Sequence, residues 1–261
     1  MLWFFLMGCS KAVVFDTAVS ISEVSVFVID QILFARRGDE GTWGFDIDEQ
    51  DSSPLDSQGC FHEDLTDPMG NKGIDNALSG IVPALELTEA AAVEPLIDEA
   101  IRNGNLQFVL EIKEEEITIH RGIGAAMVGT DGRILDSQSF AVEAEPLQTL
   151  PFVLDQETSL AKGLEFPLGV SVMGKDIHLH MYNGGLRWSA QEDGTLFGVL
   201  GGGIPTVNLI DITAIEEVGP NELFRSFIED TADLFPDDEG KCQYFSAAFT
   251  FHAIPAFLIV D

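Results

Sequence analysis

The chain has 261 residues, and its 44 acidic against 13 basic side chains set a formal net charge of −31 and a pI near 4.1. Such a field repels phosphate backbones, which argues against nucleic-acid binding, and it disfavours direct adhesion to anionic lipid headgroups. With 46% hydrophobic and 22% charged residues, the composition is that of a folded chain long enough to bury a sizeable core. Most of the acidity reads as solvated surface, with some carboxylates free to act as cation ligands.

The amino terminus runs M-L-W-F-F-L-M-G before Cys9 and Ser10. An apolar run ending in Leu6-Met7-Gly8-Cys9 resembles a bacterial lipobox, in which the cysteine after the cut takes the lipid. Residues 1–9 are therefore read as a lipoprotein-type signal segment with lipidation on Cys9, and residues 10–261 as a single β-rich domain. Export signals carry a positive amino-terminal region, and no Lys or Arg precedes Cys9, so the natural start is expected upstream. The run is too short to span a bilayer, which takes about 20 residues. The competing reading is a buried strand. On the lipobox reading, Ser10 suits an outer-membrane destination, and the membrane partner is engaged through the lipid.

Residues 12–35 alternate loosely, with Val19, Ile21, Val24, Val26 and Val28 on β spacing, and predict one or two strands. Residues 37–76 hold no period and are rich in Gly, Pro, Asp and Ser. A loop of this length inside a domain is usually functional or disordered. Trp43, Phe45, Cys60, Phe61 and Ile74 are interspersed, so something is expected to hold it in place. Helical spacing follows in Ala77, Leu78, Ile81, Val82 and Leu85. Thr88 is then the candidate N-cap of a helix carrying Val93, Leu96, Ile97 and Ile101, with Pro95 as a source of bending and Asn103-Gly104 as its close. Beyond Asn105, strands are expected around 106–113, 116–121, 139–144, 176–182, 186–190 and 195–200. Turns are expected at Thr130-Asp131-Gly132, Asn183-Gly184-Gly185, Glu192-Asp193-Gly194 and Gly201-Gly202-Gly203. A second helix near residue 225 should turn Leu223, Phe224, Phe227, Ile228 and Leu234 to the core, and the chain should close with one long strand. The expected fold is mainly β, sandwich-like or an open barrel, with one or two helices; α+β is the alternative.

Three cysteines, Cys9, Cys60 and Cys242, form no zinc spacing. With Cys9 taken by lipid, Cys60 and Cys242 remain as a candidate disulfide, which requires an oxidising compartment.

The densest chemistry lies in G-F-D-I-D-E-Q-D, where Asp46, Asp48 and Asp51 supply hard oxygen donors on one loop, as Ca²⁺ sites do. Asp64, Asp67, Asp75 and Asn76 can join if the loop folds back. The competing reading is turn chemistry, with Asp75 or Asn76 capping the helix that follows. The frame is not an EF-hand, because glycine is missing at its sixth position and glutamate at its twelfth. The stretch F-D-I-D, then Cys60, then D-P-M-G and G-I-D-N ahead of a helix resembles a segment of uncharacterised exported bacterial lipoproteins. The stretches G-V-L-G-G-G-I and C-x-x-x-S…A-x-P-A resemble their β-rich C-terminal half, so the likeness runs from Gly44 to Phe257. It implies location and layout rather than an activity, and it supports the Cys60–Cys242 pairing.

His178 and His180 share one face of an expected strand and could ligate a metal if a third ligand joined. The plainer reading is a polar strand face, with Ile177, Leu179 and Met181 inward. No fuller catalytic motif appears. Two functions follow as expectations. The first is a lipid-anchored extracytoplasmic surface protein, non-catalytic, with a Ca²⁺-stabilised loop. The alternative is an extracellular hydrolase, metal-dependent through the two histidines.

Overall fold

Alternation of apolar and polar residues builds twelve strands among the described residues, seen in a computed structural model. It describes residues 24–57, 60–87, 89–155, 157–172, 175–213 and 221–259; residues 1–9, with Cys9, lie outside the described residues. In chain order the elements are β1 (Ser25–Phe34), β2 (Arg37–Gly38), β3 (Gly41–Thr42), α1 (Ala77–Leu85), α2 (Val93–Arg102), β4 (Phe108–Lys113), β5 (Glu116–Ile123) and β6 (Gln138–Val142). They continue with β7 (Gln148–Asp155), β8 (Thr158–Val172), β9 (Lys175–Ala190), β10 (Leu196–Pro205), α3 (Thr206–Thr213), α4 (Asn221–Thr231), β11 (Leu234–Pro236) and β12 (Cys242–Ile259).

The strands β1, β4, β5, β7, β8, β9, β10 and β12 each pair antiparallel with the next, and β12 returns to pair with β1. The result is a closed eight-stranded up-and-down barrel, an arrangement that leaves no unpaired edge. Short β6 joins it at one end, parallel to β12 and antiparallel to β5, and β11 pairs with β12. The expectation of a mainly β fold with a few helices holds, and closure of the barrel is what the tertiary structure adds.

Period two decides which side chains fill the barrel. Leu196, Leu200 and Ile204 of β10 and Phe245, Ala247, Phe249, Phe251 and Ala253 of β12 belong to one continuous buried cluster. Across it, Phe108 meets Phe166 at 4.4 Å and Phe152 meets Trp188 at 5.0 Å between ring centroids. An eight-stranded barrel is just wide enough for side chains to fill it. The lumen of a membrane barrel is polar, whereas this interior is filled by apolar side chains. Helix α2 touches both β1 and β8, strands on opposite sides of the barrel, and so crosses one mouth with Ile97, Ala100 and Ile101 buried beneath it.

Four local expectations change. Asn183-Gly184-Gly185 is not a turn but part of β9, with Asn183 at φ 51° beside a shift in strand register. Gly201-Gly202-Gly203 likewise stays within β10. A Cβ on Gly201 would stand 2.8 Å from the Ala247 carbonyl and one on Gly202 2.9 Å from the Tyr182 carbonyl, so crowding by neighbouring strands explains these glycines. Pro95 does not bend its helix. A 3₁₀ turn at Glu89–Ala92 precedes α2, which places Pro95 in the first α turn, where a missing N–H costs nothing. The candidate cap Thr88 lies outside the described residues. Ile228 and Leu234 are buried as expected, but Leu234 sits in β11 and Phe227 faces solvent; the side chains of Leu223 and Phe224 lie outside the described residues. Strand β7, most of β8 and helix α3 were not anticipated, because prolines such as Pro151 and Pro167 blur the alternation.

Candidate functional site

The segment between β3 and α1 has no period of its own, so its order comes from the barrel it lies on. Phe45 and Ile47 pack on the outer barrel face in a second buried cluster with Ala35, Val199, Leu234 and Ala248. The Phe45 ring occupies the space over Gly185, where a Cβ would come within 2.5 Å of it. Single bridges join Phe45 to Asp75 and Leu65 to Ile74. The Asn76 side chain donates to the Trp43 carbonyl at 2.8 Å and the Ala35 carbonyl at 3.3 Å, while its Oδ1 accepts from Ser79 N at 3.1 Å and caps α1. Ala77 N donates to Ser246 Oγ at 2.7 Å, and Ser246 donates onward to buried Asp233. A disulfide between Cys60 and Cys242, Cα atoms 6.0 Å apart, pins the far end of the loop to the start of β12.

This folding-back brings Asp46, Asp48 and Asp75 together, with one carboxylate oxygen from each within 4.8 Å of the others. Asp75 is only 2% exposed, and its Oδ2 accepts from Ile47 N at 2.7 Å. Burial, reinforced by the charges of Asp233, Asp48 and Asp64, pushes its carboxyl up to about 9. Burial also raises Asp46, Asp48 and Asp64, each with help from a neighbouring aspartate. Asp51 adds its charge to Asp64 from an exposed position. Asp233 is pushed up to about 7 by burial, against the hydrogen bonds from Ser246. Sequence reasoning missed this residue, since an aspartate at the end of a helix carries no signal of burial.

The other two expected ligands are committed elsewhere. Asp67 accepts from Met69 N, Asn71 N and Asn71 Nδ2, each at 2.9 Å, and from Arg187 Nη1 at 2.6 Å. Burial works against its charge, but the bonds from Asn71 and Arg187 hold it below the usual carboxylate range. Asn76 spends its amide on the cap and the two carbonyls. Of the histidine pair, His180 stacks on Tyr182 at 4.3 Å, while Met181 points into the barrel. The side chain of His178 lies outside the described residues, and among those described His180 joins no group that could hold a metal. His120 and His252 are apart from them, bonded to Glu111 and Asp30.

The raised carboxyls set a sign for pH. A carboxyl protonated in the folded state and ionised in the unfolded chain stabilises below the unfolded value and loses that contribution as pH rises through the folded one. With cations chelated, stability is therefore expected to fall between about pH 4 and pH 9, where Asp233 and Asp75 titrate. Asp75→Asn should flatten the upper part of that slope. Urea unfolding at several pH values in EDTA checks it, and a wild-type stability that climbs from pH 5 to pH 8 would contradict it.

Beside the acidic triad a cleft of about 510 Å³ opens between the loop and strands β8 and β9. Phe45, Asp46, Lys72, Lys162, Asn183 and Arg187 are among the residues lining it. No family model, curated protein or solved structure matches this chain.

Proposed function

We propose that the chain is a non-catalytic extracytoplasmic surface protein, carried on a lipid at Cys9, whose barrel displays an acidic loop that folds around a Ca²⁺ ion. The observation that carries this reading is the convergence of Asp46, Asp48 and Asp75 within 4.8 Å. A carboxylate buried as deeply as Asp75 either keeps a proton or gains a cation, because an isolated charge out of water is expensive. Ca²⁺ takes six to eight oxygens in flexible geometry, and carboxylates on an irregular loop suit it. The Cys60–Cys242 disulfide supports an oxidising compartment, consistent with export. In this role the ion completes a loop otherwise held by polar bonds, and it replaces the proton on Asp75.

Thermal unfolding in EDTA and in increasing Ca²⁺ tests the reading, with Asp46→Ala/Asp48→Ala in parallel. A ligand that binds only the folded state stabilises by about 2.7 kcal/mol at a hundredfold excess over its dissociation constant. The midpoint of the wild type should climb with Ca²⁺ and that of the variant should not. A wild-type midpoint indifferent to Ca²⁺ leaves the triad as loop chemistry and ends the proposal.

A further inference from the structure

In a chain where acids outnumber bases 44 to 13, three basic side chains gathered in one cleft stand out. Arg36, Arg102, Lys113, Arg225 and Lys241 all have one within 4.0 Å. Lys72 and Lys162, like Arg37, Arg121 and Arg133, form no ion pair among the described residues, but only these two of the five line the cleft beside the acidic loop. Arg187 lines it too, with its side chain 12% exposed. Its Nη1 is held by Asp67 at 2.6 Å and its guanidinium carbon lies 5.4 Å from the centroid of the Phe45 ring. Nε and Nη2 have no polar partner among the described residues. The guanidinium is thus fixed by a buried carboxylate and an aromatic face before any ligand arrives, with donors to spare. A guanidinium fork of this kind matches carboxylate and phosphate oxygens.

The rest of the lining is consistent with a small ligand. Phe45, Ile74 and Leu160 supply apolar surface, Asn71 and Asn183 supply amides, and the volume of about 510 Å³ falls in the range of small-molecule sites. Asp46 and Glu49 also face the cleft, so a second acidic group on the ligand would be repelled.

We propose that this cleft binds a small organic monoanion, its carboxylate or phosphate taken by Arg187, Lys72 and Lys162 and its apolar body lying over Phe45, Ile74 and Leu160. The site shares Asp46 with the triad but spends none of its donors on the cation, and it is tested with calcium chelated.

Isothermal titration of the protein in EDTA tests it, with benzoate and the phosphodiester methyl phenyl phosphate as the two monoanionic probes and benzyl alcohol as the neutral control. Saturable binding of either acid is expected, with the preferred one telling carboxylate from phosphate. Salt should weaken it, because the contact is between charges. Lys72→Gln/Lys162→Gln should weaken it by about 10- to 100-fold, as expected for lost charge-assisted hydrogen bonds, with a thermal midpoint within about 2 °C of the wild type because both lysines are exposed and form no ion pair among the described residues. Absence of saturable binding for both acids overturns the proposal, as does equal binding of benzyl alcohol or full affinity in the double variant. Calcium is chelated throughout, so a failed cation site does not bear on the result.

Discussion

Cys60→Ser/Cys242→Ser protein is expected to unfold roughly 10–20 °C below the wild type. The bond joins positions 182 residues apart, with Cα atoms at 6.0 Å. In the chain-entropy account, a cross-link over so long a loop stabilises by about 5 kcal/mol, because it removes conformations from the unfolded ensemble. For a domain of this size each kcal/mol is worth about 2–4 °C. A second consequence is local. Cys60 closes the part of the loop farthest from the Phe45 anchor, so the segment around residues 52–64 should lose protection from amide exchange before the barrel does. Scanning calorimetry of the double variant, and of wild type with and without reductant, reads the first effect. A midpoint within about 2 °C of the wild type would mean that the polar bonds of Asp67, Asp75 and Asn76 hold the loop without it.

Arg187→Ala should cost about 3–5 kcal/mol, the loss typical of breaking a buried ion pair from one side. The Asp67 side chain has no exposed surface and that of Arg187 is 12% exposed, so removing the guanidinium strands a carboxylate out of water. Three hydrogen bonds from Met69 and Asn71 remain, but they do not supply a countercharge. The pH dependence separates this cause from lost packing against Phe45. With Asn71, Arg187 holds Asp67 below the usual carboxylate range against the effect of burial. That stability is present above about pH 4, the unfolded value, and is lost as pH falls through the depressed folded one. The gap between wild type and variant, measured by urea unfolding, should therefore narrow from pH 7 toward pH 3. A gap below about 1 kcal/mol, or one that stays constant with pH, would show that the pair contributes little as charges.

Much of the strand content was legible because it rests on short-range patterns. β4, β5, β10 and β12 follow the alternation of their residues, and Asn76 was among the caps that a helix at 77–85 requires. Asn183 to Gly185 and Gly201 to Gly203 were misleading for one reason. Glycine is used both where a chain turns and where another chain passes close, and sequence does not separate the two. The crowding at Gly185 comes from Phe45, some 140 positions away in the chain.

The acidic loop divides in the same way. Sequence alone marked residues 37–76 as irregular, rich in oxygen donors and in need of an anchor, since composition and the absence of a period are local properties. It also determined a mainly β chain, because side-chain alternation is written residue by residue. Only the tertiary structure decided that the sheet closes into a barrel, since closure depends on β12 meeting β1 across the length of the chain. It likewise brought together Asp46, Asp48 and Asp75 of the seven residues expected to converge, and assigned Asp67 to Arg187 and Asn76 to the α1 cap. A carboxylate's role is set by its burial and its neighbours' charges, and both are properties of the packed fold rather than of the residue.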